Sequence, residues 1–253
     1  MGLGTERARE GPNAAACAIL EGVPSLASAH SAHSSRDFET ELRELRSHLL
    51  AMGARCERVV GLAFDAYVRG DPSAIGPVEQ LDQRIDRDEI EIHALILRIL
   101  ALRQPVADDL RFLAMALRLI TDLERIGDEA INITERTVKE DGDAKSLVGA
   151  DLAAMAGAAR DMLHEALEAF VQAAAEAAER VLGRDEAVDR ACASVIATMT
   201  AHMSRNPVDV KAGLRVIRVA KYLERIADHA TNVAEQVIFM VRGDDVRHGR
   251  WRQ

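Results

Sequence analysis

Acidic side chains recur in pairs four residues apart along this chain, and these pairs are the residues best suited to do chemistry. The pairs are Asp82 with Asp86, Glu124 with Asp128, Asp185 with Asp189, and Glu224 with Asp228. Two like charges at this spacing share one face of a helix and destabilise it by roughly 0.2–0.5 kcal/mol. One pair needs no explanation, but four pairs at matched positions favour a cation held by carboxylates. The alternative is a solvated acidic face that nearby arginines neutralise.

The ligand chemistry of these pairs favours hard cations. All-oxygen ligand sets suit Mg²⁺, Ca²⁺, Mn²⁺ or iron, and many carboxylates with few histidines favour the bridging of more than one ion. The set differs from the ferritin type, because no histidine has a glutamate three residues before it. His229, beside Asp228, is interpreted as an exposed helix residue. Part of the compensating positive charge could come from arginines, namely Arg84, Arg87, Arg125 and Arg225.

The helix that carries Glu124 and Asp128 occurs twice. Residues 119–135 read LITDLERIGDEAINITE, and residues 219–235 read VAKYLERIADHATNVAE. Apolar residues in both segments are spaced by threes and fours, which predicts an amphipathic helix. A repeat of this length predicts two copies of one structural unit.

The elements around the repeat predict an all-α fold of two tandem, pseudo-symmetric three-helix bundles with six main helices. Proline and glycine mark most of the predicted helix ends, and short loops make successive helices antiparallel. The predicted helices are residues 37–69, 73–103, 107–140, 146–182, 185–203 and 208–241. The predicted domains are a disordered extension (1–35), a first bundle (36–142), a second bundle (143–243) and a tail (244–253).

Composition narrows the class of protein. The net charge is −9, and a basic face is absent from the pattern, so the sequence does not predict nucleic-acid binding. Three separated cysteines form no CxxC pair, which is typical of a reducing cytoplasm. No apolar run approaches the roughly 18 residues of a membrane helix, so membrane insertion is not expected.

The chain resembles the PhoU family of phosphate-specific transport accessory and regulatory proteins. The resemblance lies in LERIGD (123–128) with Asn132 and in LERIAD (223–228) with Asn232. It also includes RQP (103–105), DLR (109–111) and the ending GDDVRH (243–248). The second copy departs from the first at Ala227, which stands where the first copy has Gly127.

The resemblance implies two side-by-side bundles whose surfaces carry multinuclear metal clusters, of iron or of magnesium or manganese. The implied ligands are the acidic pairs, namely Asp82, Asp86, Glu124, Asp128, Asp185, Asp189, Glu224 and Asp228. Asn132 and Asn232 are expected to flank these ligands.

The function implied by the resemblance is that of a non-enzymatic adaptor that restrains the phosphate-starvation response when phosphate is plentiful. The implied partners are the phosphate ABC transporter ATPase and the membrane sensor histidine kinase. The implied state is a cytoplasmic homodimer that its partners recruit to the inner face of the membrane. The residues alone leave two other hypotheses open. One is a metal-dependent enzyme or a metal store on a helical scaffold, and the other is a structural scaffold whose acidic side chains are only solvated.

Overall fold

The computed structural model describes residues 26–137, 147 and 149–247. Internal contacts divide the chain into two units, Met1–Thr40 and Glu41–Gln253, which are considered separately. The first unit contributes the beginning of a helix that starts at Leu26. The prediction of a disordered extension concerned residues 1–35, of which 1–25 lie outside the described residues and 26–35 are helical.

The described residues form helices and no strands, which confirms the all-α fold of two pseudo-symmetric three-helix bundles. Short 3₁₀ turns at Pro72–Ala74 and Pro207–Asp209 precede the second and the last helix. The helices are α1 (Leu26–Arg69), α2 (Ile75–Arg103), α3 (Ala107–Glu135), α4 (Ala150–Gln172), α5 (Ala175–Leu182), α6 (Asp185–Arg205) and α7 (Val210–Arg242).

The predicted helix 146–182 is broken into α4 and α5. Ala173 adopts a left-handed conformation with φ of 50°. Its N–H donates to the carbonyl of Phe170 over 3.2 Å, and the N–H of Ala174 donates to the carbonyl of Ala169 over 2.9 Å. This pair of bonds is a Schellman cap. The sequence prediction was wrong here because the cap uses alanine, whereas glycine is the usual signal for a left-handed residue.

Two other helix ends differ from the prediction. Helix α1 begins at Leu26 rather than Asp37. Helix α3 ends at Glu135, and residues 136 and 137 form a turn. The predicted continuation over 138–140 lies outside the described residues.

The repeated helices α3 and α7 lie at the centre of the second unit. Helix α3 packs against α2 and α7, and α7 packs against α3, α4, α5 and α6. The apolar residues of the repeat, Leu123 and Ile126 with Leu223 and Ile226, are fully buried. Glu124 and Glu224 directly follow the buried leucines, so they lie at the edge of a buried seam. Within the described part of the chain, no helix is both long and apolar enough to cross a membrane.

Candidate functional site

The first acidic cluster consists of Asp82 and Asp86 on α2 with Glu124 and Asp128 on α3. Partial burial and, to a smaller extent, the nearby carboxylates of Asp86 and Asp128 together raise the pKa of Asp82 to about 6. The pKa of Glu124 is also raised, first by desolvation and then by Asp128, with smaller contributions from Glu89 and Asp86. The structure therefore brings together all four residues that the sequence assigned to the first bundle, and Glu89 joins them.

The second acidic cluster consists of Asp185 and Asp189 on α6 with Glu224 and Asp228 on α7. Desolvation of its carboxyl group raises the pKa of Asp228 to about 6, and Asp185, Asp189 and Glu224 act in the same direction. The pKa of Asp189 is raised by desolvation and then by Asp185 and Glu224. The four predicted residues of the second bundle are thus also close enough to repel one another.

Basic side chains neutralise the two clusters only in part. In the first cluster Arg125 lies 3.2 Å from Asp128 and 3.4 Å from Glu124, with 57% of its side chain exposed. In the second cluster Lys221 Nζ lies 2.5 Å from Glu224 Oε2. An exposed ion pair contributes little to stability, and each cluster has only one such basic partner. Most of the negative charge in each cluster therefore stays uncompensated.

The other arginines expected to neutralise the clusters have different partners. Arg84 pairs with Asp88 over 3.1 Å and with Glu91 over 3.5 Å. Arg87 donates to the backbone carbonyl of Gln83 over 2.9 Å. Arg225 pairs with Glu129 of α3 over 3.2 Å. These three expectations from sequence were wrong, since spacing along one helix does not show which neighbouring helix offers a closer carboxylate.

Asp82 is the residue of the first cluster whose polar atoms are least satisfied. Its Oδ1 is buried and has no hydrogen-bond partner. A Cβ placed on Gly127 would lie 2.8 Å from that oxygen, so the glycine makes room for the carboxyl group against α3. A buried carboxylate oxygen without a donor is costly unless a proton or a cation compensates it.

The donor set of each cluster fits a hard divalent cation by chemistry, although the ligands are not gathered around one point. No group of three or more His, Cys, Asp or Glu side chains among the described residues is arranged so that it could hold a metal ion. The clusters nevertheless offer carboxylate oxygens, mutual repulsion and the buried, unpartnered oxygen of Asp82. These are the features that a bound Mg²⁺, Mn²⁺ or iron ion would relieve.

The asparagines expected to flank the metal ligands contact other carboxylates in the structure. Asn132 donates to Glu129 over 3.3 Å, and Asn232 donates to Asp122 over 3.0 Å. Both acceptors lie on the seam between α3 and α7. The asparagines therefore support the junction between the bundles.

A polar network at the α3–α7 seam was missed by the sequence reasoning. Asp122 accepts hydrogen bonds from Asn232, from Gln236 and from Nδ1 of His229. His229 is thus half-buried rather than exposed as predicted. The sequence did contain a signal, because Asp122 and Glu129 alternate with the buried Ile126 and Ile133 along one face of α3.

A tandem pair of three-helix bundles, each with an acidic cluster between its second and third helices, defines a class of all-α, two-bundle proteins. The model of the PhoU domain matches the chain twice, over residues 49–137 and 152–237. The chain belongs to the PhoU family.

Individual relatives agree with this assignment. The chain is 38% identical over 217 residues to a phosphate-specific transport system accessory protein PhoU homolog of Pseudomonas putida, covering 85% of each chain. The crystal structure of PhoU from Pseudomonas aeruginosa is similar with a TM-score of 0.76 and 36% identity, over 82% of this chain and 100% of that one. The crystal structure of the phosphate transport system regulatory protein PhoU from Streptococcus pneumoniae is similar with a TM-score of 0.76 and 26% identity, over 83% of this chain and 99% of that one.

Proposed function

We propose that this protein is an accessory protein of a phosphate-specific transport system that acts as a negative regulator of phosphate uptake and of the phosphate-starvation response. The observation that carries the proposal is the doubled PhoU-domain match, which covers both bundles. Relatives that share the greater part of the chain are named as accessory proteins of phosphate-specific transport. The lengths also agree, since the chain covers 85% of the Pseudomonas putida relative.

The regulator acts as a non-enzymatic adaptor in this proposal. It contacts the phosphate ABC transporter ATPase and the membrane sensor histidine kinase, and it favours the state of the kinase that keeps starvation genes off. An adaptor of this kind is cytoplasmic and reaches the inner face of the membrane through its partners. We include a homodimer in the proposal, because two copies would present the same surfaces to both partners.

Metal binding by the two acidic clusters is part of the proposal. Asp82, Asp86, Glu124 and Asp128 would hold cations on the first bundle, and the four residues of the second acidic cluster would do so on the second. The cations, iron or magnesium or manganese, would supply positive charge that reduces repulsion between the helices of each bundle. The buried, unpartnered Oδ1 of Asp82 supports this assignment, because a cation would satisfy it.

A metal-dependent enzyme or a metal store is the alternative function. The comparisons do not favour it, since the relatives that cover most of the chain carry the names of accessory or regulatory proteins. An assay for phosphatase and oxidase turnover by the metal-loaded protein would separate the two functions. The adaptor proposal expects rates no higher than those of the same protein treated with EDTA.

Capture of named partners tests the adaptor directly. The tagged full-length chain is crosslinked in phosphate-replete cells, and the captured membrane proteins are identified by mass spectrometry. The proposal expects enrichment of the phosphate transporter ATPase and of the sensor kinase over a tagged helical protein of similar size and charge. Enrichment of neither would contradict the adaptor role.

A further inference from the structure

One face of helix α2 carries an exposed apolar stripe that points away from the core. The core side of this helix is buried and includes Ile92 and Ile99. At about 100° per residue the stripe lies on roughly the opposite side of the helix. Two of its side chains are large and well exposed, Ile90 by 68% and Leu97 by 49%. The α2 stripe consists of Ile90, Ala94, Leu97 and Ala101, all of which are exposed.

The spacing of the α2 stripe indicates another helix as the group that covers it. Its residues follow one another at steps of four, three and four residues. An apolar repeat of about 3.5 residues is the seam of two paired helices. Single apolar side chains on a protein surface need no explanation, but this stripe continues along about 17 Å of helix.

The second bundle shows that the fold does not require this stripe. Aligning Asp82 with Asp185 and Asp86 with Asp189 places the equivalent face on α6. The side chains there are small or polar and are all exposed, namely Ala193, Ala197, Thr200 and Ser204. The two hydroxyl groups donate to backbone carbonyls of their own helix over 2.8 and 2.9 Å. The large apolar side chains are therefore particular to α2, as expected of a surface with a function of its own.

A second copy of the same stripe fits the first when the two helices run antiparallel. The register that brings all four apolar residues into contact pairs Ile90 with Ala101 of the second copy. It also pairs Leu97 with Ala94 of the second copy. Each large side chain then faces an alanine, so the layers interdigitate without voids. The same pairs recur when the two copies are exchanged, as a two-fold contact requires.

The charges beside the α2 stripe are complementary in the same register. Glu91 and Arg98 lie two turns apart on one side of the stripe, and both are exposed. In the antiparallel register Glu91 lies beside Arg98 of the second copy, and the reciprocal pair forms as well. Within its own chain Glu91 has only a long, exposed contact of 3.5 Å with Arg84, which contributes little. A parallel pairing would instead bring Glu91 beside Asp86 of the second copy, a like charge.

We propose that two copies of this chain associate through the α2 stripe as an antiparallel, two-fold dimer. The inference rests on the homodimer included in the proposed function and identifies the surface that forms it. A single pair of helices in contact over about 17 Å is a small interface, so the dimer should dissociate in the micromolar range.

Sedimentation velocity of the full-length protein over a micromolar concentration series tests the surface. The wild type should change from monomer to dimer along the series. Leu97→Glu should remain monomeric, because it places a charge in the seam. The matched control is Thr200→Glu at the equivalent position of α6, which should dimerise as the wild type does. Both positions are exposed, so neither change places a charge in the core, and circular dichroism checks the fold.

Exchange of the flanking charges tests the register. Glu91→Arg and Arg98→Glu should each weaken the dimer at least about tenfold, because two like-charge contacts replace two ion pairs. An equimolar mixture of the two variants should recover the dimer, since the arginines of one variant meet the glutamates of the other. The double variant should also dimerise as the wild type does. Recovery in the mixture cannot come from a change in the fold of either variant.

The outcomes that overturn the proposal are distinguishable. A dimer that persists in Leu97→Glu, or a mixture that fails to recover the dimer, would overturn pairing through the α2 stripe and leave the homodimer in place. A wild type that stays monomeric throughout the series would overturn both this inference and the homodimer part of the proposed function. Neither result changes the expected capture of the transporter ATPase and the sensor kinase, which tests the adaptor role separately.

Discussion

Gln236 of α7 donates a hydrogen bond of 2.6 Å from Nε2 to Oδ2 of Asp122 on α3, and this bond joins the two repeats. The repeats are offset by one hundred positions, so Asp122 corresponds to Tyr222 and Gln236 corresponds to Arg136. Arg136 and Tyr222 are also hydrogen-bonded to each other, over 3.3 Å. The two repeated helices thus contact each other through corresponding residues, as expected of an approximate two-fold axis. Different side chains occupy the corresponding positions, so the junction is related by symmetry in position but not in chemistry.

Asp122 should be the residue on which this junction most depends. Its two carboxylate oxygens accept from His229, Asn232 and Gln236, so Asp122→Asn replaces one acceptor oxygen with an NH₂ group and leaves at least one part-buried donor without an acceptor. We expect a loss of about 2 kcal/mol in the free energy of unfolding, measured in urea. Glu44→Gln is the matched control, because it removes one charge from an exposed site on α1 and should change stability by less than about 0.5 kcal/mol. Similar stability of both variants would contradict the role of Asp122.

Asp82→Asn should raise the melting temperature of the metal-free protein and lower that of the metal-bound protein. In EDTA the wild type holds a half-buried carboxylate with an unpartnered oxygen, and the variant replaces it with a neutral group, so the variant should melt at a higher temperature. In excess Mn²⁺ the wild type gains stability from the bound ion by mass action, and the variant should then melt at the lower temperature. Calorimetry in the two buffers measures both differences. A difference in melting temperature of the same sign in EDTA and in Mn²⁺ would exclude Asp82 as a metal ligand.

The raised pKa of Asp82 also predicts a pH dependence of the metal-free protein. The group has a pKa of about 6 in the folded chain against an ordinary value of 3.8, so the folded state binds more protons between these values. The contribution of Asp82 to stability therefore falls as pH rises from about 4 to about 6. The difference in unfolding free energy between Asp82→Asn and the wild type should grow over this window. A difference that is constant from pH 4 to pH 7 would show that the carboxyl group titrates normally.

Gly127→Ala should separate stability from metal affinity. The new Cβ would lie 2.8 Å from Oδ1 of Asp82, and that carboxyl group would have to turn away. Alanine favours helix over glycine by roughly 1 kcal/mol, which offsets the contact. We therefore expect unchanged or higher stability together with weaker Mn²⁺ binding at the first cluster. Undiminished Mn²⁺ affinity would show that the position of Asp82 is unimportant to the site.

The cap at Ala173 gives a prediction that is independent of metal. Ala173→Gly should stabilise the protein by about 1 kcal/mol, because glycine adopts the left-handed conformation without the strain of a Cβ. The matched control, Ala197→Gly in the exposed middle of α6, should destabilise it by a similar amount. Urea unfolding of the two variants should give changes of opposite sign. Destabilisation by both would mean that α4 and α5 form one continuous helix in solution.

The sequence predicted the fold well because the signals for it are local. Apolar spacing and the doubled helix around Glu124 and Glu224 predict six main helices in two bundles, and the structure confirms this architecture, with the fourth predicted helix divided into α4 and α5. The break at Ala173 could not be predicted, since alanine gives no sign of a left-handed residue. The same spacing indicates that the two acidic residues of each pair share a helix face, whereas the meeting of two pairs depends on the packing of α2 on α3 and of α6 on α7.

The partners of individual side chains were harder to predict, because they depend on which helix packs nearby. Arg225 reaches across the seam to Glu129, although the sequence predicts a place beside the acidic pairs, and His229 reaches Asp122, although the sequence predicts an exposed position. Asp185 likewise accepts a hydrogen bond from the hydroxyl of Thr231, a contact that only the packed structure shows.

A phosphate-starvation reporter measured in abundant phosphate tests the central proposal most directly. An adaptor that turns such a response from nearly on to nearly off must prefer one state of its partner by about 5.5 kcal/mol, so its removal should have a large effect. Deletion of the gene should switch the reporter on, and expression of residues 36–253 or of the full chain should switch it off again. A reporter that stays silent in the deletion strain, while it responds normally to phosphate starvation, would contradict the regulatory function.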